Sequence, residues 1–180
     1  RAPVEMVLCG NTECSLAQLM HTVDPDILYR EFWYKSGVNQ TMRDALSDVC
    51  RSAEEHISLE EGDVVVDIGA NDGTLLRSFT VDGLLTIGFE PAGNLIQEAS
   101  EGTTLIIEDY FNATSFEDAL PGKKAQVVTS IAMFYDLEDP NQFVADVGAV
   151  LAEEGIWINQ INYLGTTLEY NAFDTISHEH

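Results

Sequence analysis

Basic side chains are scarce in this sequence. Its 8 lysines and arginines stand against 31 aspartates and glutamates, and the formal net charge is −23. Nucleic acids and anionic lipids attract proteins through clusters of Lys and Arg, because those side chains neutralise phosphates. We therefore expect neither nucleic acid nor a membrane among the partners. The acid excess is typical of a highly soluble surface or of adaptation to a salty habitat.

Cysteines and long apolar runs are also scarce. The three cysteines are Cys9, Cys14 and Cys50, and an odd, sparse set does not indicate a secreted disulfide framework. No run approaches the ~20 apolar residues of a membrane span, and no signal peptide follows Arg1. These absences predict a protein of the reducing cytoplasm. Because the chain does not begin with Met, a processed or partial sequence is expected.

Short apolar runs alternate with helical patterns from residue 62 onward. The pattern predicts βαβ units, and hence an α/β fold with a Rossmann-like parallel sheet and helices on both faces. A small annex precedes it. The predicted strands are 63–68, 84–90, 103–108, 125–131 and 156–164. Helices are predicted at 41–57, where Thr41 and Asp44 form a capping box, at 73–79 and at 92–100. A fourth helix would be capped by Asp139 and would end at Gly155.

Three regions follow from this pattern. Residues 1–38, which hold two cysteines and an aromatic cluster, form the annex; 39–164 form the main domain; and 165–180 form an irregular, truncated region. In the helix over 41–57, Cys50 lies on the apolar face, which favours a core thiol.

The strongest local motif is VVVDIGANDGTLL, at 64–76. A buried strand ends in Asp67, and Gly69 and Gly73 would let the backbone pass close to a ligand at the carboxyl edge of the sheet. Asn71 tolerates a positive φ. The dinucleotide fingerprint G-x-G-x-x-G is absent, and Asp72 would sit badly beside a pyrophosphate. The turn therefore favours a cofactor with positive charge, such as S-adenosylmethionine.

Acids lie at the carboxyl ends of the next two predicted strands. Glu90 lies 23 residues after Asp67, where a carboxylate can accept hydrogen bonds from ribose hydroxyls, and an exposed strand-end acid is the alternative. Asp109 would lie near the adenine or would simply be a solvated turn acid.

Strings of residues along the chain resemble the sugar C-methyltransferases that act on nucleotide-linked keto-deoxysugars. They are YKSG at 34–37, VDIGANDGTL at 66–75, GFEP at 88–91, SIAMFYDLEDP at 130–140 and FDTISHEH at 173–180. The resemblance implies a zinc module, a central cofactor domain and a second α/β lobe. This chain would hold the end of the first, the second up to its fifth strand, and little of the third.

The resemblance also implies the site residues. Pro91 and Ser130 join the predicted cofactor-binding set. His180 is the base that removes a proton beside a ketone, and Glu179 orients it or contacts sugar hydroxyls. His178, Tyr135 and Tyr34 line the acceptor side, and a structural role is the alternative for His178. Asp136 is a further candidate there, and Tyr34 packing on Phe32 and Trp33 is the alternative for that residue.

Zinc in this family uses four cysteines in two close pairs. Cys9 and Cys14 supply one loose pair, and two thiolates cannot complete a tetrahedral site. We therefore expect no metal here, and zinc only in a longer parent chain.

Two other functions remain open from the sequence. One is a non-catalytic cofactor-binding module or a half-enzyme completed by a partner, and the other is a nicotinamide-dependent oxidoreductase. Since a base at the last residue lacks walls to position it, we expect this chain to bind cofactor but to methylate poorly. The oligomeric state and the acceptor are left open.

Overall fold

The computed structural model describes residue 3 and residues 5–171. A small antiparallel hairpin comes first, with β1 at Met6–Leu8 and β2 at Ala17–Leu19. The short helix α1 follows at Pro25–Tyr29. The Asp24 carboxylate caps it by accepting from the backbone N–H of Asp26.

The central sheet has five parallel strands. They are β3 (Val64–Ile68), β4 (Leu85–Phe89), β5 (Leu105–Ile107), β6 (Ala125–Ile131) and β7 (Leu151–Gln160). Their spatial order is β5-β4-β3-β6-β7. The chain moves outward from β3 through β4 to β5 and then returns to the other side of β3. The strand order reverses there, which is where open α/β sheets bind ligands.

Helices cover both faces of this sheet. They are α2 (Gln40–His56), α3 (Ile96–Ala99), α4 (Ala113–Ala119) and α5 (Pro140–Val150). The last helix, α6 (Leu164–Tyr170), has no buried residues. Val64 and Val66 pack with α4 and α5, whereas Val65 packs with Ala53 of α2. Successive side chains of a strand point to opposite faces, so β3 is buried on both sides. The predicted Rossmann-like α/β fold is confirmed.

The core on the α5 face is rich in aromatic rings. Phe143 contacts the rings of Phe111, Phe134 and Trp157 at centroid distances of 5.6, 5.8 and 6.1 Å. On the other face the Cys50 thiol is fully buried and donates to the Leu75 carbonyl at 3.3 Å. Burial raises the pKa of this thiol to about 12, which keeps it protonated and unreactive. The prediction of a core thiol is confirmed.

Several predicted boundaries are wrong. Asn39, not Thr41, caps α2, because its side chain accepts from the Thr41 N–H. The helix predicted to open at Gly73 is only a 3-10 turn at Leu76–Ser78. Gly73 has a φ of +77°, which no right-handed helix allows.

The end of the described chain also differs from the prediction. The last strand begins at Leu151 rather than Ile156, and Gly155 lies inside it, in an irregularity where Ala125 pairs with Leu151 but Val127 pairs with Ile156. A Cβ on Gly155 would lie 2.8 Å from the Ala125 carbonyl oxygen. This glycine therefore permits a close strand contact and does not end a helix. The helices α4 and α6 were not predicted.

Candidate cofactor site

The glycine loop after β3 has the conformation that its sequence predicts. Gly69, Asn71 and Gly73 all have positive φ, at +75°, +51° and +77°. At Gly73 a Cβ would meet the Ala99 carbonyl oxygen at 2.8 Å. Gly73 is therefore required for contact with α3, whereas Gly69 is exposed at the carboxyl edge of the sheet.

Asp67 is a buried acid at the end of β3. It is 4% exposed, and one of its oxygens accepts from the Thr129 hydroxyl at 2.7 Å. Burial raises the pKa of Asp67 to about 7; the nearby Glu90 adds to the rise, and the Thr129 hydrogen bond opposes it. Thr129 was not predicted as a site residue, because nothing in a strand sequence reveals which neighbour lies across the sheet.

Glu90 follows β4 and is 5% exposed. Its two oxygens accept from backbone N–H groups, Asn71 at 2.7 Å and Ala92 at 2.8 Å. Burial raises the pKa of this carboxyl, and the two hydrogen bonds limit the rise. A carboxylate has about four acceptor positions, so two remain for a ligand. Pro91 comes next and is half-buried.

The structure gives Asp72 a different role from the one predicted, which was to favour a positively charged cofactor. Its oxygens accept from the backbone N–H groups of Gly37 at 2.7 Å and Thr74 at 3.1 Å, and it is 1% exposed. The carboxylate therefore holds the loop against the segment that precedes α2. It is a structural acid, and its presence in the turn does not itself argue for a cationic ligand.

Two other predicted cofactor residues have protein partners. Asp109, after β5, accepts from the Arg30 guanidinium at 3.4 Å and from the Tyr110 N–H at 2.9 Å. Ser130, at the end of β6, is fully buried; its hydroxyl accepts from Trp157 Nε1 at 2.8 Å and donates to Asn159 at 3.1 Å. Both positions lie at the carboxyl ends of strands, and their cofactor roles stay predictions.

The predicted acceptor-side residues divide into two groups. Tyr34 is half-buried, its ring lies 6.0 Å from that of Trp33, and its carbonyl accepts from the Asn71 side chain at 3.0 Å. The Tyr135 hydroxyl donates to the Ala132 carbonyl at 2.9 Å. Their substrate roles stay predictions. The predictions for His178, Glu179 and His180 fall outside the described residues.

Ala132 is a feature that sequence reasoning missed. It has a φ of +55° at the end of β6, a conformation that costs alanine free energy and that often marks functional sites. Alanine gives no sequence signal for such a conformation.

The carboxyl edge of the sheet thus combines a glycine loop with acids at the ends of three strands. The chain belongs to the methyltransferase-domain family. Its residues 37–163 match the family model described as a methyltransferase domain.

One curated relative is the C-methyltransferase NovU of Streptomyces niveus, which is 33% identical over 183 residues. The match covers 99% of this chain and 42% of that protein, so the chain spans less than half the length of its relative.

Solved structures share the fold. The plantazolicin methyltransferase BpumL, in complex with a pentazolic desmethylPZN analog and SAH, superposes with a TM-score of 0.60 at 13% identity, over 79% of this chain and 58% of that one. The cyclopropane synthase MmaA2 from Mycobacterium tuberculosis superposes with a TM-score of 0.55 at 14% identity, over 82% of this chain and 54% of that one.

These matches confirm the prediction of an S-adenosylmethionine-dependent methyltransferase domain and leave the nicotinamide oxidoreductase without support. Within the described residues, no group of three or more His, Cys, Asp or Glu side chains could hold a metal ion. In the same part of the chain, no helix is long and apolar enough to cross a bilayer.

Proposed function

We propose that this methyltransferase domain serves an S-adenosylmethionine-dependent C-methyltransferase whose acceptor is a small molecule, a nucleotide-linked keto-deoxysugar. The observation that carries the proposal is the similarity to a C-methyltransferase over 99% of this chain. The sequence resemblance to sugar C-methyltransferases supports the acceptor class. The cysteine usage favours a cytoplasmic protein.

The residues at the carboxyl edge fit the cofactor chemically. S-adenosylmethionine supplies an electrophilic methyl group when bound, and it carries a sulfonium and an ammonium. Glu90 gives the edge negative charge, Asp67 adds to it when it is deprotonated, and the exposed backbone of Gly69 leaves room beside them. Opposite charges attract strongly where water is excluded. Glu90 would accept from ribose hydroxyls through its remaining lone pairs.

The proposed chemistry also needs a base. Carbon methylation beside a ketone requires removal of a carbon-bound proton, and an imidazole with a reference pKa of ~6.5 is largely neutral at cellular pH. We assign this step to His180, with Glu179 orienting the ring. His178 and Tyr135 would line the acceptor side.

Calorimetric titration tests the cofactor assignment. We expect S-adenosylhomocysteine to bind with micromolar affinity and NADH not to bind. Glu90→Gln should weaken binding about tenfold or more, because it removes a charged acceptor. The matched control is Glu108→Gln, which makes the same change at an exposed position after β5. Equal losses in both variants, or no binding by a folded sample, would contradict the assignment.

Proton exchange tests the base separately. The protein should exchange the proton beside the acceptor ketone for deuterium in D₂O, and His180→Ala should abolish this exchange. His21→Gln is the control, because His21 is exposed in the annex. Unchanged exchange in His180→Ala would exclude this residue as the base, whatever the cofactor result.

A further inference from the structure

The segment Arg30–Gly37, called the strap below, crosses the loops that follow β3 and β4. Its backbone is hydrogen-bonded along its length to residues of those loops. The contact is tight: a Cβ on Gly37 would lie 2.7 Å from Thr74 Oγ1. Lys35 adds an ion pair with Glu98 at 2.5 Å. The strap thus covers the ends of the two strands that carry the main cofactor candidates.

Asn94 holds one end of the strap. Its side-chain oxygen accepts from the Phe32 N–H at 2.9 Å, and its Nδ2 donates to the Phe32 carbonyl at 2.8 Å. The neighbouring Gly93 N–H donates to the Arg30 carbonyl at 3.1 Å. One amide side chain therefore satisfies both backbone groups of a strap residue.

Asn71 makes the same kind of contact at the other end. Its side-chain oxygen accepts from the Ser36 N–H at 2.9 Å, and its Nδ2 donates to the Tyr34 carbonyl at 3.0 Å. Its own backbone N–H donates to Glu90 at 2.7 Å. Asn71 thus links the strap directly to the carboxylate proposed to contact the cofactor ribose.

We propose that Asn94 and Asn71 are positioning residues that hold the strap against the cofactor site, so that strap docking and cofactor binding stabilise each other. This inference rests on the proposed function. The amide side chain accepts at its oxygen and donates from its nitrogen at once, whereas a carboxylate only accepts. Aspartate would keep the bond from the Phe32 N–H but would place a carboxylate oxygen against the Phe32 carbonyl, which releases the strap.

The rate of tryptic cleavage within the strap measures how often the strap is undocked. The chain has only 8 Lys and Arg residues, and Lys35 lies inside the strap. Lys123 and Lys124, in the exposed turn before β6, give an internal reference. Cleavage at Lys35 requires the strap to open, and its rate follows the open population when opening is fast. Mass spectrometry of the fragments then reports the ratio of Lys35 to Lys123 cleavage.

We expect Asn94→Asp to raise that ratio about tenfold, because one hydrogen bond is lost and a repulsion is added. Saturating S-adenosylhomocysteine should lower it at least about tenfold in the unchanged protein, since a ligand that binds only the docked form reduces the open population. The matched control is Asn39→Asp. Its side chain only accepts, from the Thr41 N–H, so the bond survives and the ratio should stay unchanged.

An unchanged ratio in Asn94→Asp, or an equal rise in Asn39→Asp, would overturn the positioning role. Calorimetry on the unchanged protein separates the remaining outcomes. Binding of S-adenosylhomocysteine without protection of Lys35 would overturn the coupling alone. Absence of binding would overturn the proposed cofactor and the coupling together.

Discussion

Two buried acids at the ends of neighbouring strands, Asp67 and Glu90, are stabilised in different ways. Glu90 accepts two backbone hydrogen bonds, which support its charged form. Asp67 has one hydroxyl partner in place of two backbone N–H groups, and burial together with the nearby Glu90 favours its protonated form up to about pH 7 by raising its pKa to about 7. Charge at Asp67 therefore opposes folding, and a cationic ligand at this edge would offset that cost.

The raised pKa of Asp67 predicts a pH-dependent stability. The folded state holds this proton more tightly than the unfolded state, so the stabilisation is complete below about pH 4 and is lost as the pH rises through about 7. Asp67→Asn stays neutral throughout. We expect its free energy of unfolding, relative to the unchanged protein, to rise between pH 5 and pH 8 by on the order of 1–3 kcal/mol.

Urea unfolding at the two pH values measures this difference. Asp82→Asn is the control, because Asp82 is exposed in the turn before β4. Its free energy of unfolding relative to the unchanged protein should be the same at both pH values. Parallel pH curves for Asp67→Asn and the unchanged protein would show that Asp67 is charged throughout that range.

Among the structural elements, the glycine loop is fixed from three sides. Glu90 accepts from its backbone, the strap meets the Asn71 and Asp72 side chains, and α3 packs on Gly73. Arg77 adds a link by donating to the carbonyls of Asp72 and Glu101 at 2.7 and 3.0 Å. The loop is therefore ordered by its neighbours as well as by its own glycines.

Gly73→Ala tests the contact with α3. The substitution forces alanine to a φ of +77° and places its Cβ 2.8 Å from the Ala99 carbonyl oxygen. Gly122→Ala is the control, since its φ is +71° but nothing lies within 4 Å of the added Cβ. We expect Gly122→Ala to cost about 1 kcal/mol and Gly73→Ala about 1–3 kcal/mol more through overpacking. Equal costs by chemical unfolding would mean that the loop and α3 separate freely.

Over the whole molecule, charge is unbalanced. The formal net charge is −23, and among the described residues only four ion pairs offset it, each at least two-fifths exposed on both sides. Exposed pairs contribute little, and self-repulsion destabilises a compact state. The packed sheet and its two apolar faces therefore supply the stability.

Added salt should raise the melting temperature. Since the Debye length falls from about 10 Å at 0.1 M to about 3 Å at 1 M, we expect a rise of several degrees in KCl that is nearly complete by about 0.5 M. Scanning calorimetry across that series measures it. At pH 4.5, where many carboxylates are protonated, the rise should shrink. A melting temperature independent of KCl at pH 7 would show that repulsion does not limit stability.

The sequence by itself determined the strand pattern and the glycine loop. Strands buried on both faces read as continuous apolar runs, so β3 and β6 were located well, and residues 125–131 were predicted with the bounds that the structure gives. Gly69, Asn71 and Gly73 were predictable because positive φ is restricted to few residue types.

Tertiary structure decided the rest. The 3-10 turn after Gly73, the irregularity around Gly155 and the bond between Thr129 and Asp67 all depend on atoms brought close by the sheet. The double hydrogen bonds of Asn94 and Asn71 join residues more than 30 positions apart. Local sequence does not predict such partners. A backbone N–H or carbonyl group bonds to whichever polar group the fold brings near it, whatever residue type bears that backbone group.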